Sequence, residues 1–90
     1  MKEKPEVKEK DWIRVGMRDA VVCRVYSNEE LTDMIEIVFI DDRNRAINIK
    51  VIWNKESGKW EFLQDGDLGG YADKYDRLRE YVRILRSGKY

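Results

Sequence analysis

Between Met34 and Trp60 the chain alternates apolar and polar residues at a period of two, in runs separated by polar turns. Ile35, Ile37 and Phe39 interleave with Glu36 and Val38, and Ile47, Ile49, Val51 and Trp53 interleave with Asn48 and Lys50. Successive side chains of a strand point to opposite faces, so each run offers one continuous apolar face to a core and leaves the other partly wet. Asp41-Asp42-Arg43-Asn44-Arg45 separates the two runs. Its carboxylates can accept hydrogen bonds from the backbone that follows, and Asn44 tolerates the left-handed conformation that a hairpin loop of this length needs. Ser57-Gly58 marks a second turn, after which Trp60, Phe62 and Leu63 form a third strand with Glu61 facing the other way. Trp53 and Trp60 flank that turn, placed to pack across neighbouring strands or to close one end of the core.

Two shorter segments precede this stretch. Trp12, Ile13 and Val15 form a lead-in strand that ends at Gly16, where the chain is free to bend. Ala20 to Tyr26 reads as the next strand, with Val21, Cys23 and Val25 inward and Val22, Arg24 and Tyr26 on the other face. Cys23 lies in a β-branched run with no base beside it in sequence, which suits a small core hydrophobe better than a nucleophile. Ser27 to Asp33 is a polar connection in which Ser27 or Asn28 can cap one helical turn.

Gln64 to Gly70, QDGDLGG, ends the run of strands. Asp65-Gly66-Asp67 has the beginning of a calcium loop but lacks its spaced acidic ligands and closing glutamate, so a plain connector is expected. Beyond it the apolar period changes. Tyr71, Tyr75, Leu78, Val82 and Leu85 step by four, three, four and three, which predicts an amphipathic helix over 74–87 with Tyr81 at the border of its stripe. Asp73 or Asp76 suits its start, Arg83 and Arg86 its negative end, and Gly88 its stop. The competing reading is a final strand, Glu80 to Arg86, completing a five-stranded barrel, although each face of such a strand would mix apolar residues with arginine.

These elements imply an α+β domain over residues 11–90: a strongly curled antiparallel sheet of about five short strands packed by one C-terminal amphipathic helix, with an SH3-like small β-barrel as the alternative. Residues 1–10, MKEKPEVKEK, carry too little apolar area to offset ordering and are expected to form a flexible charged arm. A domain of this size leaves little room for a large internal chamber. With one cysteine there is no intramolecular disulfide, and no apolar run reaches membrane-spanning length, so a soluble cytoplasmic protein is expected.

Charge and composition narrow the function classes. Basic and acidic residues both number 18, so no net field draws the chain to nucleic acid or to an anionic membrane. The charges are nonetheless segregated, 8 basic against 12 acidic over residues 11–70 and 6 basic against 3 acidic over 71–90, which favours docking of the tail on its own sheet or on that of a second copy. Histidine is absent, which removes imidazole bases, Ser-His and Cys-His pairs and His-containing zinc sites. No catalytic residue, metal site or cofactor is assigned, and the chain is expected not to be an enzyme.

The candidate binding residues are therefore aromatic and cationic. Trp53, Trp60, Tyr71 and Tyr75, with Trp12, can line a small pocket where the glycine-rich loop meets the sheet end, or fill the core. Arg43 and Arg45 at the hairpin tip can meet a phosphate or carboxylate ligand, or pair with Asp41 and Asp42. The arginines of the last segment alternate with Asp73, Asp76 and Glu80, so a solvated face is expected there and nucleic acid is not. Ile84 projects about 120° from Leu78 on a helical wheel, outside the stripe and near Arg77. With Tyr81, those two residues mark an expected interface to another subunit.

The succession of short strands and tight turns resembles SH3-like and Tudor-like barrels, which implies binding of peptides or modified side chains. IDDRNRAINIKVIW, followed by GKWEF and YADKYDRLREYVRILRSG, resembles small bacterial proteins carried on mobile gene cassettes. That likeness spans most of the chain and implies no activity and no site residues. A non-enzymatic binding or assembly module, self-associating as a homo-oligomer, is the function expected. The alternatives are a binder of small aromatic or cationic molecules and an SH3-like peptide-binding module.

Overall fold

Five strands follow one another around a closed barrel in the computed structural model, which describes residues 3–26, 34–62 and 70–88. They are β1 (Trp12–Val15), β2 (Arg18–Val25), β3 (Met34–Ile40), β4 (Ala46–Asn54) and β5 (Lys59–Phe62). Each pairs antiparallel with the next. An odd number of strands in an up-and-down order brings the first and last together in the same direction, and the barrel closes on one parallel register pair, Val15 with Trp60. The expected curled sheet is thus curled to closure, in a form compatible with an SH3-like small barrel. A further short strand, β6 (Gly70–Tyr71), pairs with β4 at Asn48 and Ile47, on the edge that β5 leaves open.

The turns follow from their residues. Gly16 takes φ +62° in the two-residue β1–β2 loop, where a side chain would be strained. Asn44 takes φ +62° in the β3–β4 loop as expected, and Gly58 takes φ +68° while its N–H donates to the Asn54 carbonyl.

Two apolar clusters fill the molecule, one on each side of the β2–β3–β4 wall. Inside the barrel lie Val22, Ile35, Ile37, Phe39, Val51 and Trp60, with Ile49 and Trp53 packed against them. Outside it, Val21, Cys23, Val38 and Ala46 are covered by Leu78, Val82 and Leu85. Strand β3 is consequently buried on both faces, where one wet face was expected. The inward set of β2 is also corrected: Ala20 and Val22 face the barrel, whereas Val21 and Cys23 lie under the helix. Register explains the change, because Val22 opposes Ile37 and Arg24 opposes Glu36, leaving Cys23 as the extra residue of a bulge. Val25, beyond the bulge, packs against the barrel cluster as expected.

The expected helix over 74–87 begins later. The α-helix, α1, is Arg79–Ser87, preceded by two 3-10 turns, Ala72–Lys74 and Asp76–Leu78. Tyr75 between them is extended, with φ −117° and ψ 120°, and Tyr71 is tied into β6, so neither ring joins the helical stripe. Ala72 is the buried residue of that segment instead. Leu78, Val82 and Leu85 do form the buried stripe, and the alternative of a final strand at 80–86 is overturned by α1. Ile84 is half-buried and packs at the edge of the helix cluster, so α1 buries more than a narrow stripe. The readings placed on Ser27–Asp33, on Leu63 and on Asp65-Gly66-Asp67 lie outside the described residues.

Candidate binding site

The β3–β4 hairpin builds its own scaffold before it offers anything to a partner. One Asp41 oxygen, Oδ1, accepts the backbone N–H groups of Arg43 (3.0 Å) and Arg45 (2.8 Å), and Oδ2 accepts Arg45 Nε at 2.9 Å. These bonds, first the one from the Arg45 backbone, hold the Asp41 carboxyl below its ordinary range. Pairing within the turn therefore accounts for Arg45, as the plainer sequence reading had it. It also aims the rest of the guanidinium: Arg45 Nη1 donates to Tyr71 Oη at 2.8 Å, and the group lies 5.3 Å from the centre of that ring. Lys74, one 3-10 turn along, lies 5.4 Å from the same ring centre. Arg43 is exposed, and its guanidinium has no partner among the described residues.

A second cation and ring sit on the outer wall. Tyr75 lies beside Gly70, where an added Cβ would come within 3.7 Å of the ring, and Arg77 lies 5.8 Å from the ring centre. Arg77 Nη1 also reaches the Glu36 carboxylate at 3.2 Å. Glu36 is the one buried charged residue among those described, at 6% exposure, and Cys23 Sγ donates to it at 3.4 Å. Asn48 Nδ2 donates to the Ile37 carbonyl at 3.1 Å and lies 3.5 Å from the same sulfur.

Burial pushes the Glu36 carboxyl up, but hydrogen bonds from Arg77, Asn48 and Cys23 together outweigh it and hold it below its usual range. Cys23 moves the other way, its thiol pushed far up by burial and then by the Glu36 charge. A carboxylate kept ionised beside a thiol kept protonated has neither a proton to give nor a thiolate to attack with. The ion pair of Glu36 with Arg77 ties the second 3-10 turn to β3. Sequence reasoning assigned Glu36 no role beyond its place between Ile35 and Ile37. Its signal was a single charge in the middle of the apolar run MIEIVFI.

The aromatic residues expected to share a pocket are divided. Trp53 and Trp60 are register partners with ring centres 5.2 Å apart, and Trp60 is buried in the barrel. Tyr71 pairs with Ile47, six positions from Trp53 along β4, which is about 20 Å of strand. Trp12 packs with the helix cluster on the outer wall. The structure thus brings together Tyr71, Tyr75, Arg45 and Arg77, and adds Lys74, which sequence reasoning passed over because it looked like one more solvated charge. Tyr81 is half-buried against the helix cluster, its hydroxyl pushed up by burial and by Glu9. Among the described residues no three acidic or cysteine side chains gather as a metal site, and no helix is long and apolar enough to cross a membrane. No protein-family model matches the chain, and comparisons with curated proteins and with solved structures also find no match.

Proposed function

We propose that the protein is a non-enzymatic binding module that takes an extended acidic stretch of another polypeptide on the face formed by Arg45, Tyr71, Lys74, Tyr75 and Arg77. One observation carries this: Tyr71 and Tyr75 stay 42% and 48% exposed while three cations are held within 6 Å of their ring centres. Rings serving only stability would gain from fuller burial, whereas tyrosine and arginine held ready at a surface are the side chains that anchor interfaces. The filled barrel interior supports an external site over an enclosed one. The likeness to SH3-like barrels points the same way, and a small module of this kind fits the sequence likeness to bacterial cassette-borne proteins. A cytoplasmic setting belongs to the proposal, supported by the single, buried, unbridged Cys23.

A second reading makes the partner another copy of the chain, favoured by the opposite charge balances of residues 11–70 and 71–90 and by Met17, 96% exposed at a hairpin tip. Sedimentation at rising concentration separates the two, since only this second reading predicts growth in mass.

Fluorescence anisotropy with a labelled peptide of alternating glutamate and valine tests the first. Saturable binding is expected, weakened about tenfold by Tyr75→Ala or Tyr71→Ala, with the far-ultraviolet circular dichroism unchanged. Failure to saturate, or affinity unchanged from the parent chain in both variants, would overturn the proposal.

A further inference from the structure

The β1–β2 hairpin and the end of the helix line an open groove of about 450 Å³ that shares no lining residue with the tyrosine face. Its floor is apolar: Trp12, Ile40 and Leu85. Arg14, Arg18 and Asp19 form its rim, and Gly88 lies at the point where the chain leaves the helix. The volume falls in the range of small-molecule sites, and an apolar floor with a few polar groups at one side is how such sites are built.

The two arginines differ in a way that matters. Arg18 is fixed: Nη1 donates to the Ile40 carbonyl at 3.1 Å, Nη2 meets Asp42 at 2.7 Å, and the guanidinium lies 5.5 Å from the centre of the Phe39 ring. Those bonds leave Nε and the remaining N–H groups of its planar fork for a ligand. Arg14, its side chain 66% exposed, pairs with Asp19 at 3.3 Å at the groove's rim. The helix end that adjoins the groove is partly quenched, because Ser87 Oγ lies 2.9 Å and 3.0 Å from the Arg83 and Ile84 carbonyl oxygens.

We infer that this groove binds a small carboxylic acid with a flat apolar body, the carboxylate between Arg18 and Arg14 and the body on Trp12, Ile40 and Leu85. A guanidinium fork matches a carboxylate in shape and charge, and an ion pair closed over an apolar floor is stronger than one in open water. The site is separate from the tyrosine face, so either can fail without the other.

Titration calorimetry with 4-phenylbutyrate, and with its uncharged amide as the matched control, tests the inference. The acid binds in the submillimolar range, its amide about tenfold more weakly, and Arg14→Gln reduces acid binding about fivefold without loss of fold. Amide shifts on titration fall on Trp12, Leu85 and Gly88. Equal binding of acid and amide, an unaffected Arg14→Gln variant, or shifts confined to Tyr71 and Tyr75 would each overturn it. Tighter binding of a peptide ending in phenylalanine with a free carboxylate would overturn the assignment to a small molecule.

Discussion

Glu36 sits where a carboxylate has reason to be neutral, in the middle of an apolar strand beneath the segment leading to α1, yet its donors keep it charged. Its folded pKa lies below the ordinary 4.5, so as pH falls the unfolded chain takes up the proton first. The stabilisation it brings is complete above about pH 4.5 and is lost as pH drops through the folded value. Urea midpoints measured from neutral pH downward should hold and then fall in that acidic window, and Glu36→Gln should flatten the fall. Arg77→Ala removes the strongest of the donors. The guanidinium is half in water, so the cost is about 1–2 kcal/mol at neutral pH, read from the same urea curves. None of this was legible from Glu36 alone, because its neighbours lie 13 and 41 residues away in the chain. Only the register of β2 on β3 and the path of the 3-10 turns bring them together.

Among the elements, β3, β4 and both hairpin turns were the most legible, since strict alternation and residues suited to left-handed φ act locally. The helix was half legible. Leu78, Val82 and Leu85 follow a true helical spacing, whereas Tyr71 and Tyr75 share it by coincidence and are held by strand pairing and an extended backbone. The inward face of β2 was misread because a bulge shifts parity without any mark such as glycine at Cys23. The helix stripe has a direct test. Leu85→Ala should cost about 2–4 kcal/mol, and Arg83→Ala on the exposed side should stay within about 0.5 kcal/mol, in thermal or urea unfolding.

At the level of the whole molecule, the two readings of the sequence, a sheet packed by a helix and a five-stranded barrel, turn out to be compatible. The chain has both, because β1 and not the C-terminal segment closes the barrel. That closure rests on one register pair, whereas β3 is shared by both apolar clusters. Native-state hydrogen exchange should accordingly find the β1 and β5 amides at the seam opening well before those of β3, whose protection should approach that of global unfolding. The interior is filled by its own side chains, so the proposal places recognition on the outside, at the tyrosine–cation face. Amide and side-chain chemical shifts followed during titration with the alternating glutamate–valine peptide address that claim most directly. Movement of Arg45, Tyr71, Lys74, Tyr75 and Arg77, with Ile35, Ile37 and Val51 still, is the predicted map; shifts centred on the barrel interior, or none at saturating peptide, would contradict it.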